Sequence, residues 1–263
     1  MYNFTVQSPT EVIYGQNALT ELVTRLKQNR ITKVLIVFGG HSAIKFGHLA
    51  KVTDLLEKNG IATVQAGDNR QASWTEIKRG IQLANDHAVQ AVLGLGGSIC
   101  MDNAKAIAFG AVHADIWDYL RGEKSMVNAT YLPIVEIPTY PSGGSEADLA
   151  AEIYDLETGE HRTLLGTFPK YAILDPSFSA SLTIEQAVRG AMVTFIQESL
   201  NYLGNGSEIA NGFAKVILTS LLKNARAVQN GNATTETRSN LMWAATLTPQ
   251  AIMNAGIDND WTS

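Results

Sequence analysis

The stretch Ala91-Val-Leu-Gly-Leu-Gly-Gly-Ser-Ile-Cys-Met-Asp-Asn-Ala-Lys-Ala-Ile-Ala108 decides the fold class of this chain. An apolar run enters two adjacent glycines and then an alanine-rich pattern with helical spacing, which is the order of a buried strand, a tight turn and a helix. Gly96 and Gly97 lack Cβ, so their N–H groups can approach an anion at the positive end of the helix. The stretch alone fits a nucleotide-phosphate loop and a plain strand-to-helix turn about equally well.

Strands and helices alternate around this stretch. Lys33–Phe38 is a continuous apolar run, typical of a strand buried on both faces of a parallel sheet, and it leads into Gly39-Gly40-His41-Ser42, a second candidate phosphate or ribose loop. Phe4–Tyr14 predicts one or two short strands or a hairpin. Further strands are predicted over 62–66 and 131–138, and helices over 18–28, 49–59 and 74–87. This alternation predicts a doubly wound α/β sheet with its ligand at the carboxyl ends of the strands.

The pattern changes after Pro138. A loop rich in hydroxyls and glycine is followed by two short strands near 151–154 and 162–165, and then by Tyr171-Ala-Ile-Leu-Asp-Pro176. From Thr183 onward the spacing is helical, with a capping box of Thr183 and Gln186. The predicted helices run to Tyr202, over 208–228 and over 235–255, with Pro249 expected to kink or end the last one. The prediction is therefore an α/β domain over 1–178 and a helical domain over 179–263.

The composition predicts a globular protein. The chain has 263 residues, 45% hydrophobic residues, 17% charged residues and a formal net charge of −5, without the basic excess of nucleic-acid-binding proteins. The single cysteine, Cys100, excludes an internal disulfide framework and a cysteine-rich zinc site. The sequence has no targeting signal and no apolar window of membrane-spanning length, which predicts a cytoplasmic protein with neither nucleic acid nor a membrane among its partners.

Several motifs together resemble the iron-containing (group III) alcohol dehydrogenases, in the branch of the NAD(P)H-dependent butanol dehydrogenases. The resemblance runs along the whole chain and implies a Rossmann-like nucleotide-binding domain followed by an all-α domain that is incomplete here. It also implies the interconversion of alcohols and aldehydes by hydride transfer to or from NAD(P), and a homodimer or association with a partner chain. The motifs are Phe38-Gly-Gly-His-Ser42, Leu95-Gly-Gly-Ser98 with Asp102-Asn-Ala-Lys105, Ile116-Trp-Asp118, Ile137-Pro-Thr139 with Gly144-Ser-Glu146, Ile173-Leu-Asp-Pro176 and Asn240-Leu-Met-Trp243.

The same resemblance implies cofactor contacts at both glycine loops. The implied contacts are Gly39, Gly40 and Ser42 at the adenosine end of NAD or NADP, Gly96, Gly97 and Ser98 at the pyrophosphate, and Asp102 and Thr139 beside them. Both loops depart from the family pattern, for example at Ile99 and at Ala43, which looks like an inserted residue. The choice between NAD and NADP stays open because the selecting position lies in the altered loop.

The family's metal ligands are replaced or missing. On the first long helix of the helical domain, Val193 and Gln197 occupy the positions of an aspartate and a histidine. Valine has no donor atom, and a neutral amide is a poor ligand for a transition metal. Two further family histidines would follow Gly256–Trp261, where the sequence ends at Ser263. Asp258 and Asp260 are interpreted as a solvated turn, so no high-affinity transition-metal site is expected.

Three hypotheses follow. The first is a NAD(P)-dependent alcohol or aldehyde oxidoreductase whose metal-dependent catalysis is impaired or lost, and whose catalytic residue is unknown. The second is a nucleotide-binding pseudoenzyme or partner subunit without catalysis, and the third is a decayed fragment without function. A shortened helical domain is also expected to expose the apolar faces of 195–203 and 241–252.

Overall fold

The computed structural model describes residues 3–204 and 206–257, which form two units. The α/β unit comprises residues 10–139 and 149–175. The helical unit comprises the described parts of 1–9, 140–148 and 176–263. The two units are not contiguous in sequence, so segments 3–9, 140–148 and 176–178 are grouped differently from the predicted domains 1–178 and 179–263.

A six-stranded parallel sheet forms the centre of the α/β unit, as the alternation of strands and helices predicts. The N-terminal segment forms one strand, parallel to the last strand of the sheet, and the hairpin alternative is wrong. The fifth strand begins at Ile134 instead of Tyr131, and the preceding Pro133 has no N–H for a ladder hydrogen bond. The strands are β1 Glu11–Tyr14, β2 Lys33–Phe38, β3 Ala62–Ala66, β4 Ala91–Gly96, β5 Ile134–Pro138 and β8 Tyr171–Leu174, in the order β1-β8-β5-β4-β2-β3.

Helices pack around this sheet, and an antiparallel pair of strands, β6 Ala150–Asp155 and β7 Glu160–Leu165, completes the unit. The long helices lie within a residue of the predicted bounds. Two short helices, α2 and α6, are absent from the prediction. The helices of this unit are α1 Ala18–Gln28, α2 His41–Lys45, α3 His48–Lys58, α4 Trp74–Asp86, α5 Ser98–Gly110 and α6 Ile116–Leu120.

The helix α5 is the most deeply buried of these elements. Met101, Ile107 and Phe109 are fully buried, and Ile107 and Phe109 join the main apolar core with Leu35 of β2 and Val92 of β4. Full burial of a large apolar side chain contributes roughly 1.5–3 kcal/mol relative to its exposure. The core therefore fixes α5, and with it the glycine turn at its N-terminus.

Three helices form the core of the helical unit: α7 Ile184–Leu203, α8 Glu208–Gln229 and α9 Thr235–Leu247. The predicted capping box is confirmed, since Thr183 Oγ1 accepts from Gln186 N and Gln186 Oε1 accepts from Thr183 N. The helix α9 ends at Leu247, so the predicted extent to residue 255 is wrong. The fixed φ of Pro249 and its missing N–H oppose continuation of the helix.

The helical unit leaves large apolar side chains on its surface. Ile196, Leu200 and Leu203 of α7 are exposed. Trp243 and Ile252, in the segment 241–252, are exposed as well. Both stretches that were expected to present apolar faces do so within the described residues. None of the helices in 3–204 and 206–257 is long and apolar enough to cross a membrane.

Candidate nucleotide site

The order of the parallel strands brings both glycine loops to one edge of the sheet. The strand β2 pairs with β3 on one side and with β4 on the other, so the order of the strands reverses between β2 and β4. Doubly wound sheets bind their ligands at such a switch point, outside the carboxyl ends of the strands. Gly39-Gly40 follows β2 and Gly97 follows β4, so the structure brings these two predicted loops together.

The turn between β4 and α5 has the geometry of an anion site. Gly96 has φ +156°, and a Cβ built on it would lie 2.7 Å from the Cys100 Sγ, so a side chain does not fit there without a shift. Gly97 is the N-cap of the 13-residue helix α5 and, lacking a side chain, gives no side-chain cap. The first N–H groups of the helix and its dipole are therefore available to a phosphate.

Cys100 lies between the two loops. A Cβ on Gly39 would be 3.4 Å from the Cys100 Sγ, so the thiol is close to both glycine turns. Burial, followed by the charge of Glu136, raises the pKa of this thiol from 9.0 to about 12. The side chain is therefore a neutral packing group at neutral pH.

Cys100 is expected to resist alkylation in the folded chain. Because its pKa is raised, the stabilisation that the neutral thiol provides is present below pH 9 and is lost as the pH rises toward 12. We expect iodoacetamide at pH 7.5 to label Cys100 only after denaturation by urea, as measured by intact mass. Equal labelling rates for folded and unfolded chain would contradict this environment.

Asn69 supports the loop after β2. Its side-chain Nδ2 donates to Phe38 O (3.1 Å) and Ala66 O (2.6 Å), the last backbone carbonyls of β2 and β3. Its Oδ1 accepts from Asn103 Nδ2 of α5 (3.0 Å). Asn69 and Asn103 are both buried, and their hydrogen bonds join the end of β2, before one glycine loop, to α5, after the other.

Sequence reasoning missed this network, and also the role of Glu76. The Glu76 carboxylate accepts from Arg70 N (3.2 Å), Gln71 N (3.1 Å) and Asn103 Nδ2 (3.3 Å). The only sequence signal is local, since Ser73 and Glu76 have the spacing of a capping box and Ser73 Oγ accepts from Glu76 N (3.3 Å). Asn103 lies 34 positions from Asn69 and 27 positions from Glu76, so no periodic pattern in the sequence reveals these contacts.

Thr139, Ser42 and Asp102 complete the set of residues that the resemblance implies. Thr139 follows β5, and its N–H donates to Gly96 O (2.8 Å), so it lies beside the β4–α5 turn. Ser42 is exposed on α2. Asp102 Oδ2 accepts a hydrogen bond from Glu152 N (3.4 Å), which joins α5 to β6. Contact between these side chains and a nucleotide stays a prediction.

The positions implied as metal ligands have unsuitable chemistry. Val193 presents a hydrocarbon side chain that is 40% exposed. Gln197 lies against Gly143, where an added Cβ would be 2.8 Å from its amide, and its buried Oε1 accepts no hydrogen bond from the described residues. The residues present therefore do not fit the family's transition-metal ion. Asp258, Asp260 and Trp261 lie outside the described residues.

Glu198, beside Gln197, is a buried carboxyl group. Its Oε2 accepts from Asn201 Nδ2 (3.3 Å), and burial raises its pKa above the ordinary value. Within 3–204 and 206–257, no group of three or more histidine, cysteine, aspartate or glutamate side chains is arranged to hold a metal ion.

Comparisons with known proteins agree with the fold. The family model described as iron-containing alcohol dehydrogenase matches residues 9–176. The NADH-dependent butanol dehydrogenase A of Clostridium acetobutylicum is 29% identical over 271 residues, covering 100% of this chain and 68% of that protein. The NADPH-dependent aldehyde reductase YqhD of Escherichia coli is 28% identical, covering 100% of this chain and 69% of that protein.

Solved structures show the same similarity. The crystal structure of the NADH-dependent butanol dehydrogenase A from Thermotoga maritima superposes with a TM-score of 0.92 and 31% identity. The match covers 99% of this chain and 67% of that one. The chain thus spans about two thirds of the length of these relatives.

Proposed function

We infer the function of this chain from the family to which it belongs, the iron-containing alcohol dehydrogenases, and propose that it binds a nicotinamide dinucleotide at the carboxyl ends of β2, β4 and β5. One observation carries the proposal: the uncapped turn of Gly96 and Gly97 lies beside the switch point and opens a long buried helix. In this proposal the residues contact the nucleotide as follows: Gly96, Gly97 and Ser98 at the pyrophosphate, Gly39, Gly40 and Ser42 at the adenosine, and Asp102 and Thr139 beside them.

The family reaction is the interconversion of alcohols and aldehydes by hydride transfer to or from the nicotinamide. Relatives of this chain carry the names of NADH-dependent butanol dehydrogenase and NADPH-dependent aldehyde reductase. We propose that a small alcohol or aldehyde is the ancestral substrate here, and that metal-dependent catalysis is impaired or lost. Val193 and Gln197 support this, because neither side chain is a good ligand for a Lewis-acidic ion.

A second candidate function is a nucleotide-binding pseudoenzyme or partner subunit. Val193 and Gln197 favour it as well, because they stand at the positions implied for metal ligands and lie outside both glycine loops. We also propose that the chain associates with a second copy or another chain. The exposed Ile196, Leu200 and Leu203 of α7 support this association.

Enzymatic turnover distinguishes the impaired enzyme from the pseudoenzyme. The rate of NADH and NADPH oxidation would be measured with butanal, in the presence of EDTA, Zn²⁺ or anaerobic Fe²⁺. Metal-stimulated turnover that is lost when the nucleotide loop carries Ser98→Glu would support the impaired enzyme. Nucleotide binding without turnover in all three conditions would support the pseudoenzyme.

A further inference from the structure

The loop after β3 brings an arginine to the edge of the candidate adenosine loop. A Cβ built on Gly40 would lie 3.5 Å from Arg70 Nε and 3.8 Å from both Cζ and Nη2 of the same side chain. The guanidinium therefore covers the glycine turn that follows β2. Arg70 and Gly40 both belong to the α/β unit.

The loop that carries Arg70 is anchored on both sides. The backbone N–H groups of Arg70 and Gln71 donate to the Glu76 carboxylate. Asn69 is bonded to the ends of β2 and β3, and the guanidinium of Arg79 donates to Gly67 O. The backbone at Arg70 is thus held in place while its side chain remains 61% exposed.

The guanidinium has donors to offer to a ligand. Among the described contacts, it makes one side-chain hydrogen bond, from Nη2 to Asp68 Oδ1 (3.2 Å). A guanidinium carries five N–H donors in a planar fork, which suits bidentate recognition of a phosphate. One bond to an exposed carboxylate leaves Nε and Nη1 for such an anion.

The inference rests on the proposed function. If the chain binds a dinucleotide there, the position of Arg70 bears on recognition of the adenosine ribose. In dinucleotide-binding sheets, the pyrophosphate lies at one strand–helix turn and the adenosine ribose near the end of the neighbouring strand. A carboxylate there binds the ribose 2′-hydroxyl of NAD, and an arginine accommodates the 2′-phosphate of NADP. Here the turn proposed for the pyrophosphate follows β4, and Gly40, in the turn after the adjacent strand β2, lies against the Arg70 side chain.

A carboxylate that would bind the ribose 2′-hydroxyl of NAD has less support at this site. The loop Gly39-Gly40-His41-Ser42 contains no carboxylate. Asp68 is paired with Arg70 itself, and Glu76 accepts three hydrogen bonds that hold the loop. We propose that Arg70 binds the 2′-phosphate of the adenosine ribose, so that this chain selects NADP(H) over NAD(H).

Titrations of four proteins test the proposal: the unmodified chain, Arg70→Gln, Arg70→Lys and the control Arg30→Gln, each with NADPH and NADH. Arg30 is an exposed arginine just before the amino end of β2, so it matches Arg70 in charge and lies away from the site. Unfolding curves of all four proteins are compared first, so that binding is measured on folded protein.

We expect the unmodified chain to bind NADPH at least about tenfold more tightly than NADH. Arg70→Gln should remove this preference by weakening NADPH alone, Arg70→Lys should keep part of it, and Arg30→Gln should change neither affinity. A preference for NADH, or a ratio that Arg70→Gln leaves unchanged, would overturn the inference and leave the proposed function standing. Failure of the unmodified chain to bind either nucleotide would overturn the proposed function, and this inference with it.

Discussion

Gly190→Ala is expected to destabilise the helical unit by about 1–3 kcal/mol, although alanine is the better helix former. Gly190 lies inside α7, and a Cβ added there would be 2.4 Å from Pro141 O and 3.5 Å from the Tyr140 ring. The closest atom is a backbone carbonyl oxygen, so the clash is relieved only if α7 or the 140–148 segment moves. The glycine therefore lets this segment lie against α7.

Gly212→Ala is the matched control. Gly212 lies inside α8, and a Cβ added there meets nothing within 4 Å. In the absence of a clash, we expect a gain of about 0.5–1 kcal/mol from the lower backbone entropy of the unfolded chain. Urea unfolding followed by circular dichroism gives both free energies, and effects of the same sign would contradict the packing at Pro141.

Ser98→Glu is expected to lower the affinity for NADH and NADPH by at least about 10–100-fold, with little change in stability. Ser98 is exposed in the first turn of α5, directly after Gly97. A carboxylate at a helix N-terminus is favourable for the free protein, since it interacts with the dipole. The same charge would occupy and repel the position of the pyrophosphate.

Ser98→Gln separates charge from size. Glutamine has nearly the same shape as glutamate but no charge, so it should cost much less affinity. Fluorescence titration gives the affinities, and thermal unfolding verifies that both variants are folded. If both substitutions reduce binding equally, the effect is steric, and the assignment of the helix N-terminus to the pyrophosphate loses its support.

Much of the α/β unit could be predicted from the sequence because its signals are local. The apolar run of β4, the paired glycines and the alanine-rich helix follow one another without interruption, and the structure has them at 91–96, 96–97 and 98–110. The helix over 18–28 is likewise as predicted. In each case one continuous pattern extends over at least two turns of helix or one strand, bounded by residues with clear conformational preferences.

The features that were missed depend on short or distant relations. The helices α2 and α6 have five residues each, too few to show a helical period. The network of Asn69, Asn103 and Glu76 joins segments that only the fold brings together. Apolar residues continue at helical spacing to residue 255, but the last helix ends at Leu247, just before Pro249, which the sequence predicts to kink or end it.

The site itself was only partly predictable. Both glycine loops could be named, and the parallel order of the strands explains why they meet. The sequence does not distinguish Arg70, since an isolated arginine in a polar loop carries no pattern. Its proximity to Gly40 depends on the pairing of β2 with β3, which places the ends of these strands side by side.

We propose that this chain binds a nicotinamide dinucleotide through the β4–α5 turn without a transition-metal ion. The most direct test is a fluorescence titration with NADPH and NADH in the presence of EDTA, repeated with Zn²⁺ and with anaerobic Fe²⁺. We predict micromolar binding of at least one nucleotide, unaffected by metal and lost in Ser98→Glu. Failure to bind either nucleotide, or binding that requires the metal, would contradict the account.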